Sequence, residues 1–328
     1  MTEANMGNNK TITKRYFSEF SDGDSAYVTF LVENIVTRED SRGVNFCDIT
    51  GTDGKTRLIL KLWEKDAPSS NIRNMDVITA RVNSKNYKGS LTYSFRSYKI
   101  EENADVSQFI RCAPLKENEL RVRVKTLIDS LSPEYRYIAT SLIYSNDNGR
   151  RYFSWTAGKS MHHAYIGGLA YHSLCMAENA DKLSTTYKNV DRDMLVCGCL
   201  IHDIGKLREL ECDQQGNTEY TVEGQLEGHL LLGTFMLARA IKEAERKLGK
   251  PSAKRTITGL KHIIESHHGD TTLGALVNPM TPEALIVSAL DKLDMSIDAT
   301  NTALDACQPG QFTALKVPAL DRKMYKTE

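Results

Sequence analysis

Apolar and polar residues alternate along the first hundred positions with the two-residue period of a β-strand. In the segment TRLILKLW, at 56–63, every second residue is a leucine. Turn pairs such as Asp53-Gly54 and Lys88-Gly89 separate one alternating segment from the next. The pattern predicts five strands, at 26–36, 43–50, 56–63, 76–82 and 91–100.

The predicted strands have the layout of a five-stranded Greek-key barrel of the OB type, with the longest insert between the third and the fourth strand. Barrels of this type bind oligonucleotides on the face around strands two and three. Arg57, Lys61 and Trp63 share one face of strand three, where a base could stack on the indole and the cations could follow phosphates. Ordinary packing of Trp63 and solvated cations are the alternative interpretation, and the sequence leaves both open.

From about residue 120 the apolar positions recur at helical spacing instead. The preceding segment 101–119 is acidic at its start, contains Pro114 and is typical of a linker. Seven helices are predicted, near 120–131, 133–145, 160–182, 191–203, 223–248, 253–267 and 282–298. The chain is therefore predicted to join a small β domain to a larger all-α domain.

Composition limits the classes of protein to be considered. The 328 residues include 42 Lys+Arg and 42 Asp+Glu, so the net charge of zero excludes a strongly basic nucleic-acid binder, though not a local basic groove. No apolar run is long enough for a membrane helix, and the polar start resembles no secretory signal. These features predict a cytoplasmic protein without a membrane partner. The seven cysteines are irregularly spaced, which predicts reduced and mostly buried thiols.

The eight histidines lie between positions 162 and 268, so the chemistry is expected in the α domain. The strongest local signal is LIHDIGK, at 200–206, in which His202 and Asp203 are adjacent at the end of an apolar helix. Imidazole and carboxylate together suit divalent ions such as Mn, Fe, Zn or Mg. The other candidate groups of this set are His172, His229, His267, His268, Asp291, Asp294 and Asp298.

This ordered set of residues resembles a known family. His172, the His202-Asp203 pair and Asp291 are similar to the H…HD…D signature of the HD-domain metal phosphohydrolases. The further histidines 229, 267 and 268 resemble the binuclear variants of that family. The whole chain is similar to the YhaM-type 3′–5′ exoribonucleases, which join an OB domain to an HD domain. The runs that carry this resemblance, in order, are MHHAYIGGLAYHSL, HDIGKLREL, GHLLLG, LKHIIESHHGD and TPEAL…LDKLD, followed by VPALDRKMYK.

The resemblance implies an α+β multidomain fold. Its predicted parts are a disordered or frayed N-terminus at 1–15, an OB-fold nucleic-acid-binding domain at 16–100, a linker at 101–119, an HD domain at 120–310 and a C-terminal extension at 311–328.

The resemblance also implies a metal centre of one or two divalent ions, for which Mn²⁺ is favoured and Fe, Mg, Zn, Ni or Co are alternatives. Asp203 would bridge the ions, and Lys206 would meet a phosphate oxygen. The metal ligands implied are His172, His202, Asp203, His229, His267, His268 and Asp291. Some binuclear members carry a glutamate where this chain has Gly168, which leaves the number of ions open. His162 and His163 are predicted to lie half a turn from the ligand face of the helix, and His262 to be structural.

The expected activity is the 3′–5′ hydrolysis of single-stranded RNA, with DNA as a second substrate, to nucleoside monophosphates. Two alternatives remain: a phosphodiesterase for cyclic dinucleotides or nucleotides, and a non-catalytic nucleic-acid-binding protein. The segment ESHHGDTTLGALV lacks the GYP run of the cyclic-dinucleotide enzymes, which disfavours the first. A homo-oligomer is compatible with the sequence.

Overall fold

The computed structural model describes Thr13 and residues 16–63, 71–159, 163–305 and 307–327. The chain divides into two compact units between Arg111 and Cys112. This division falls inside the segment that the sequence predicts to be a linker, and the predicted domain limits themselves stay predictions. Each unit has its own hydrophobic core.

The N-terminal unit is a closed five-stranded barrel, as the alternation predicts, in the order β1-β2-β3-β5-β4. Neighbouring strands are antiparallel except for β3 and β5, which pair in parallel. The strands are β1 (Ser25–Glu39), β2 (Asn45–Thr52), β3 (Arg57–Trp63), β4 (Val77–Tyr87) and β5 (Ser90–Ile100).

The barrel closes around side chains that alternate inward. Leu60 and Leu62 of β3 are fully buried with Phe30 of β1 and Phe95 of β5, whereas Ile59 on the outer face is exposed. A register shift between Val32 and Asn34 lets the long strand β1 pair with β4 in its first half and with β2 in its second half. Such a bulge bends a strand, and the closure of a small barrel requires that bend.

The C-terminal unit is helical, with one short hairpin. Its elements are α1 (Glu117–Ser130), α2 (Pro133–Tyr144), α3 (Asn148–Ser154), α4 (Gly168–Leu183), α5 (Arg192–Ile201), α6 (Lys206–Glu209), β6 (Leu210–Cys212), β7 (Thr218–Tyr220), α7 (Val222–Leu248), α8 (Lys254–Ser266) and α9 (Pro282–Leu304). No helix of the described residues is long and apolar enough to cross a membrane.

The helix starts follow from capping residues that the sequence contains. The side chains of Asp191, Thr221 and Thr281 accept hydrogen bonds from the first turns of α5, α7 and α9. Helix α5 lies in the middle of the unit, and every residue from Met194 to Ile201 is buried. Cys197 and Cys199 are therefore core residues, as the apolar run predicts.

The predicted first residue of one helix, α4, is wrong. The sequence pattern predicts a helix from about 160, but α4 begins at Gly168 and an irregular loop precedes it. Gly167 and His163 both have positive φ, of 76° and 46°, which interrupts any continuous helix through this segment. The consequence for His163 is described below.

Candidate metal centre

The structure brings all seven predicted ligands together, although they come from five helices or helix ends. His172 lies in α4, the His202-Asp203 pair directly follows α5, and His229 lies in α7. They meet the His267-His268 pair at the end of α8 and Asp291 of α9. Among the predicted ligands, three overlapping groups have ligand atoms that all lie within 4.8 Å of one another, and His202, Asp203 and His267 form the group that links the other two. The first group is His172, His202 and Asp291, and the second group is His229, His267 and His268.

In the first group the imidazole Nε2 atoms converge. Nε2 of His172 lies 3.2 Å from Nε2 of His202 and 3.2 Å from Oδ1 of Asp291. In the second group Nε2 of His229 lies 3.2 Å from Nε2 of His268. Pairs of ring nitrogens that face each other at this distance satisfy one another only if one carries a proton, whereas a cation between them would satisfy both.

Asp203 lies between the two groups and is only 3% exposed. Its Oδ2 is 3.4 Å from Nε2 of His202, while its Oδ1 is 3.5 Å and 3.4 Å from Nε2 of His229 and His267. Oδ1 is buried and has no hydrogen-bond partner. A buried carboxylate oxygen without a donor is costly, and a metal ion would remove that cost. The donor set therefore fits divalent cations, with Asp203 in position to be shared.

Three of these histidines have Nδ1, the ring nitrogen that faces away from the centre, fixed by a hydrogen bond. Nδ1 of His202 donates to the carbonyl of Cys199 at 2.8 Å, and Nδ1 of His267 donates to the carbonyl of Ile264 at 2.9 Å. Nδ1 of His229 lies 3.0 Å from Oε1 of Glu209. Because the proton is then on Nδ1, the lone pair of Nε2 points into the centre, as metal ligation requires.

His172 has the same arrangement with a carboxylate of α9. Its Nδ1 lies 2.7 Å from Oδ2 of Asp294. Glu209 and Asp294 thus orient one histidine each, in the second and the first group respectively. The sequence pattern predicts Asp294 on the same helix face as Asp291 but assigns it no role, and no local signal identifies Glu209, whose partner is 20 residues away in sequence.

Electrostatics in the centre favour ionised carboxylates and a neutral His267. Burial by itself raises the pKa of Asp203, but Lys206 and His202 hold that pKa well below its usual range. Burial lowers the pKa of His267 to about 4, so this imidazole is neutral near pH 7. Burial also acts to lower the pKa of His172, but hydrogen bonds with Asp291 and Asp294 raise it to about 10 in the metal-free protein.

Lys206 is placed against the centre by the short helix α6. Its Nζ lies 2.8 Å from Oδ2 of Asp203, and the residue is only 8% exposed. Burial lowers the pKa of Lys206, but the Asp203 carboxylate raises it above its usual value, so the ammonium stays charged. The predicted contact of Lys206 with phosphate stays a prediction.

Helix α7 is kinked where it delivers His229. Gly228 has φ 73° and ψ 157° inside the helix, directly before the histidine. Only glycine adopts this backbone region readily, because other residues meet steric strain at positive φ. The kink lets the backbone N–H of His229 donate to Oε1 of Glu209 at 3.1 Å, next to the bond from the ring. Gly228 thus permits the kink, and the residue after it, His229, is one of the predicted ligands.

The prediction for His163 is wrong. It assumed a helix through 163–172, whereas this residue lies in the loop before α4 and reaches back to the centre. Nε2 of His163 lies 2.7 Å from Oδ2 of Asp294, the oxygen that also contacts His172. His162 lies outside the described residues. The predicted structural role of His262 agrees with its Nε2, which accepts the backbone N–H of Met280 at 2.9 Å.

The close approach of the His163 carbonyl explains why position 168 is glycine and not glutamate. A Cβ added to Gly168 would lie 2.0 Å from the carbonyl oxygen of His163, so no side chain fits without movement of the backbone. The loop that brings His163 to Asp294 therefore excludes the extra carboxylate of the binuclear variants.

The three barrel residues singled out in the sequence lie on the outer face of β3, as the alternation predicts. Arg57 pairs with the buried Glu33 through two contacts of 2.6 Å and 2.8 Å. Nζ of Lys61 lies 4.5 Å from the centre of the Phe46 ring, and the rings of Phe46 and Trp63 are 5.0 Å apart. Arg57 is thus largely neutralised by Glu33, and the buried ring of Phe46 supports the exposed Lys61 and the half-buried Trp63 from below.

The fold and the centre define a class of protein: a five-stranded barrel followed by a helical unit that holds a cluster of His and Asp residues. Residues 169–296 match the HD domain family, and all seven predicted ligands lie in this range. The helical unit therefore contains a region that matches the HD domain.

Over most of its length the chain is similar to proteins named 3′-5′ exoribonuclease YhaM. The relative from Geobacillus sp. (strain WCH70) is 29% identical over 309 residues, which cover 93% of this chain and 92% of that protein. The relative from Bacillus subtilis (strain 168) is 28% identical over 291 residues, with 87% and 90% covered. The predicted resemblance to the YhaM-type exoribonucleases is confirmed.

Proposed function

We propose that the protein is a metal-dependent 3′–5′ exoribonuclease that hydrolyses single-stranded RNA to nucleoside monophosphates. The observation that carries the proposal is the position of Asp203, with one oxygen towards each group of histidines and Oδ1 left without a hydrogen bond. The relatives that match both units have names that state this activity. Single-stranded DNA is a second substrate in this proposal, and the cytoplasm is the proposed location.

The seven ligands are proposed to hold two divalent cations, one in each group, with Asp203 shared. The first group offers two imidazoles and a carboxylate, and the second group offers three imidazoles. Mixed nitrogen and oxygen donors accept several first-row divalent ions, and availability often decides among them. We propose Mn²⁺ as the native ion.

Bound divalent cations would supply an activated water and neutralise charge on the phosphate. The chain's own residues hold that chemistry in place. Hydrogen bonds on Nδ1 keep the imidazoles aimed inward, and burial excludes bulk water from Asp203. The ammonium of Lys206 has three hydrogens, so after the bond to Asp203 it keeps donors for a non-bridging phosphate oxygen.

The barrel is proposed to bind the RNA strand. Trp63 and Lys61, which both pack against the buried Phe46, form a surface on which a base can stack beside a cation, and such contacts are tolerant of sequence. Arg57 contributes less in this proposal, because Glu33 already pairs with its guanidinium.

Digestion of end-labelled RNA tests the proposal. A single-stranded oligoribonucleotide labelled at its 5′ end should shorten progressively in Mn²⁺, and the same strand labelled at its 3′ end should release labelled mononucleotide at once. EDTA should stop both reactions, and a fully paired duplex should resist. Binding without shortening in every metal tested would instead support the non-catalytic alternative. Cleavage of a cyclic dinucleotide but not of RNA would favour the phosphodiesterase.

A further inference from the structure

We infer that His163 is a positioning residue that holds His172 in place through Asp294 and so sets the metal affinity of the first group. This inference rests on the proposed metal centre. It goes beyond that centre because it assigns a role to a buried residue that is not one of the seven proposed ligands.

Asp294 is the point at which two histidines meet. Its Oδ2 lies 2.7 Å from Nδ1 of His172 and 2.7 Å from Nε2 of His163. Both histidines are buried, and their ring centres are 5.1 Å apart. A carboxylate held by His172 alone could rotate about its side-chain bonds. A second donor on the same oxygen removes that freedom and fixes the direction of the His172 lone pair.

His163 is itself held from both sides by α9 and by a tyrosine. Its backbone N–H donates to Oδ2 of Asp298 at 2.7 Å, and its Nδ1 lies 2.6 Å from the hydroxyl of Tyr165. That hydroxyl is also 3.4 Å from Oδ1 of Asp298. Helix α9 therefore supplies a ligand, an orienting carboxylate and an anchor from three successive turns: Asp291, Asp294 and Asp298.

The backbone around His163 is shaped for this contact. His163 has φ 46°, in the left-handed region that disfavours most residues. Its carbonyl accepts hydrogen bonds from the N–H groups of Ala157 at 3.0 Å and Tyr165 at 2.8 Å, and it lies where a side chain on Gly168 would have to be. A strained conformation that several contacts enforce is typical of a functional site.

In the second group a different carboxylate, Glu209, orients a histidine, so this group provides an internal control for metal affinity. Glu209 accepts hydrogen bonds from both the backbone N–H and Nδ1 of His229. Loss of Glu209 should weaken the second group, and loss of His163 should weaken the first. The two effects can be separated in one titration.

The experiment is a titration of Mn²⁺ into the metal-free, full-length protein by calorimetry, with electron paramagnetic resonance of the loaded samples. The wild type should bind two ions and give the signal of a coupled pair. His163→Asn keeps a residue that tolerates positive φ, but its amide is too short to reach Asp294. One of the two ions should then bind about 10–100-fold more weakly, and the spectrum should become that of a single Mn²⁺.

His163→Gln is the rescue variant, because the amide nitrogen of glutamine approximates the position of Nε2. It should restore the coupled pair. Glu209→Ala should weaken the other ion. Unchanged affinities in a folded His163→Asn protein would overturn the inference, and so would equal weakening of both ions without rescue by glutamine. If His163→Asn does not fold, Tyr165→Phe decides in its place, and unchanged affinities there would likewise overturn it.

The experiments distinguish failure of the proposed function from failure of this inference. Binding of two ions by a wild type that does not cut RNA would contradict the exoribonuclease and leave the role of His163 standing. A wild type that binds no Mn²⁺ at all would overturn both.

Discussion

Asp203 lies between the two groups of histidines, with Oδ2 3.4 Å from Nε2 of His202 and Oδ1 3.4 Å from Nε2 of His267. We expect Asp203→Asn to reduce RNA hydrolysis by more than the 10–100-fold that is typical for loss of an outer partner of a ligand. The amide keeps the size of the side chain and still offers an oxygen to Lys206, but it removes the charge that both groups share. Hydrolysis rates at saturating Mn²⁺ measure the effect.

The matched control for this change is Asp129→Asn, an exposed carboxylate of α1 that pairs with Lys125. It removes one negative charge from α1, which carries none of the predicted ligands, and should leave hydrolysis unchanged. Full activity of the Asp203 variant with normal metal content would show that the reaction takes place elsewhere.

At the scale of the element, the kink in α7 gives a sharp test. Gly228→Ala should destabilise the protein by about 1–3 kcal/mol, because φ 73° with ψ 157° is a backbone region that only glycine adopts readily, although nothing lies within 4 Å of the added Cβ. Any relaxation of the helix to relieve that strain moves His229, so metal affinity should fall as well. Chemical unfolding and Mn²⁺ titration measure the two effects.

Gly249 provides the control at the other end of the same helix. It also has a positive φ, of 65°, and an added Cβ would again meet nothing within 4 Å. Gly249 has ψ 20° and lies in the left-handed α region, so Gly249→Ala should lower the free energy of unfolding by about 1–2 kcal/mol and leave metal affinity unchanged. Equal metal affinity in both variants would show that the kink does not position His229.

The start of α4 gives a second test at this scale. Gly168→Glu would restore the carboxylate of some binuclear variants, but its Cβ would overlap the carbonyl of His163. We expect a loss of stability and of metal affinity rather than an extra ligand. Gly149→Glu in α3, where an added Cβ would have ordinary contacts of 3.6 Å or more, should be tolerated. Tighter metal binding by Gly168→Glu would contradict this account.

At the scale of the whole molecule, metal should stabilise one unit and not the other. For each of the two proposed sites, Mn²⁺ at about 100 times the dissociation constant should add about 2.7 kcal/mol to the unit that holds the centre. For a unit of this size each filled site corresponds to a rise in melting temperature of about 5–10 °C. Calorimetry should show the rise in the helical unit's transition only, and Asp203→Asn should abolish it.

The two units should also have separate tasks, with hydrolysis in the helical unit and RNA binding in the barrel. The helical unit, Cys112–Glu328, contains every predicted ligand, so once shown to be folded it should hydrolyse a small diester such as bis(p-nitrophenyl) phosphate. Its activity on long RNA should fall strongly, because binding of remote parts of a substrate supports positioning at the reacting centre. The RNA affinity of the full chain should weaken as salt rises. Unaltered activity on long RNA after removal of the barrel would instead give the barrel another role.

Several features of this protein are determined by sequence alone. Alternation of Leu58, Leu60 and Leu62 with outward residues follows from the geometry of a strand and predicted the barrel correctly. The ordered His and Asp residues predicted a common centre, because few other reasons place so many of them in apolar helices. These signals are local or follow from residue type, so they can be interpreted without knowledge of the contacts.

Only the tertiary structure decided the remaining features. The role of His163 depends on a loop with positive φ that helical periodicity does not represent, and on Asp294, which lies 131 residues further along the chain. Glu209 reaches His229 only because α6 and the kinked α7 pack together. The direction of each Asp203 oxygen likewise depends on five packed helices or helix ends. Side-chain orientation is a property of long-range packing, and for this reason the sequence predicted which residues converge but not what holds them in position.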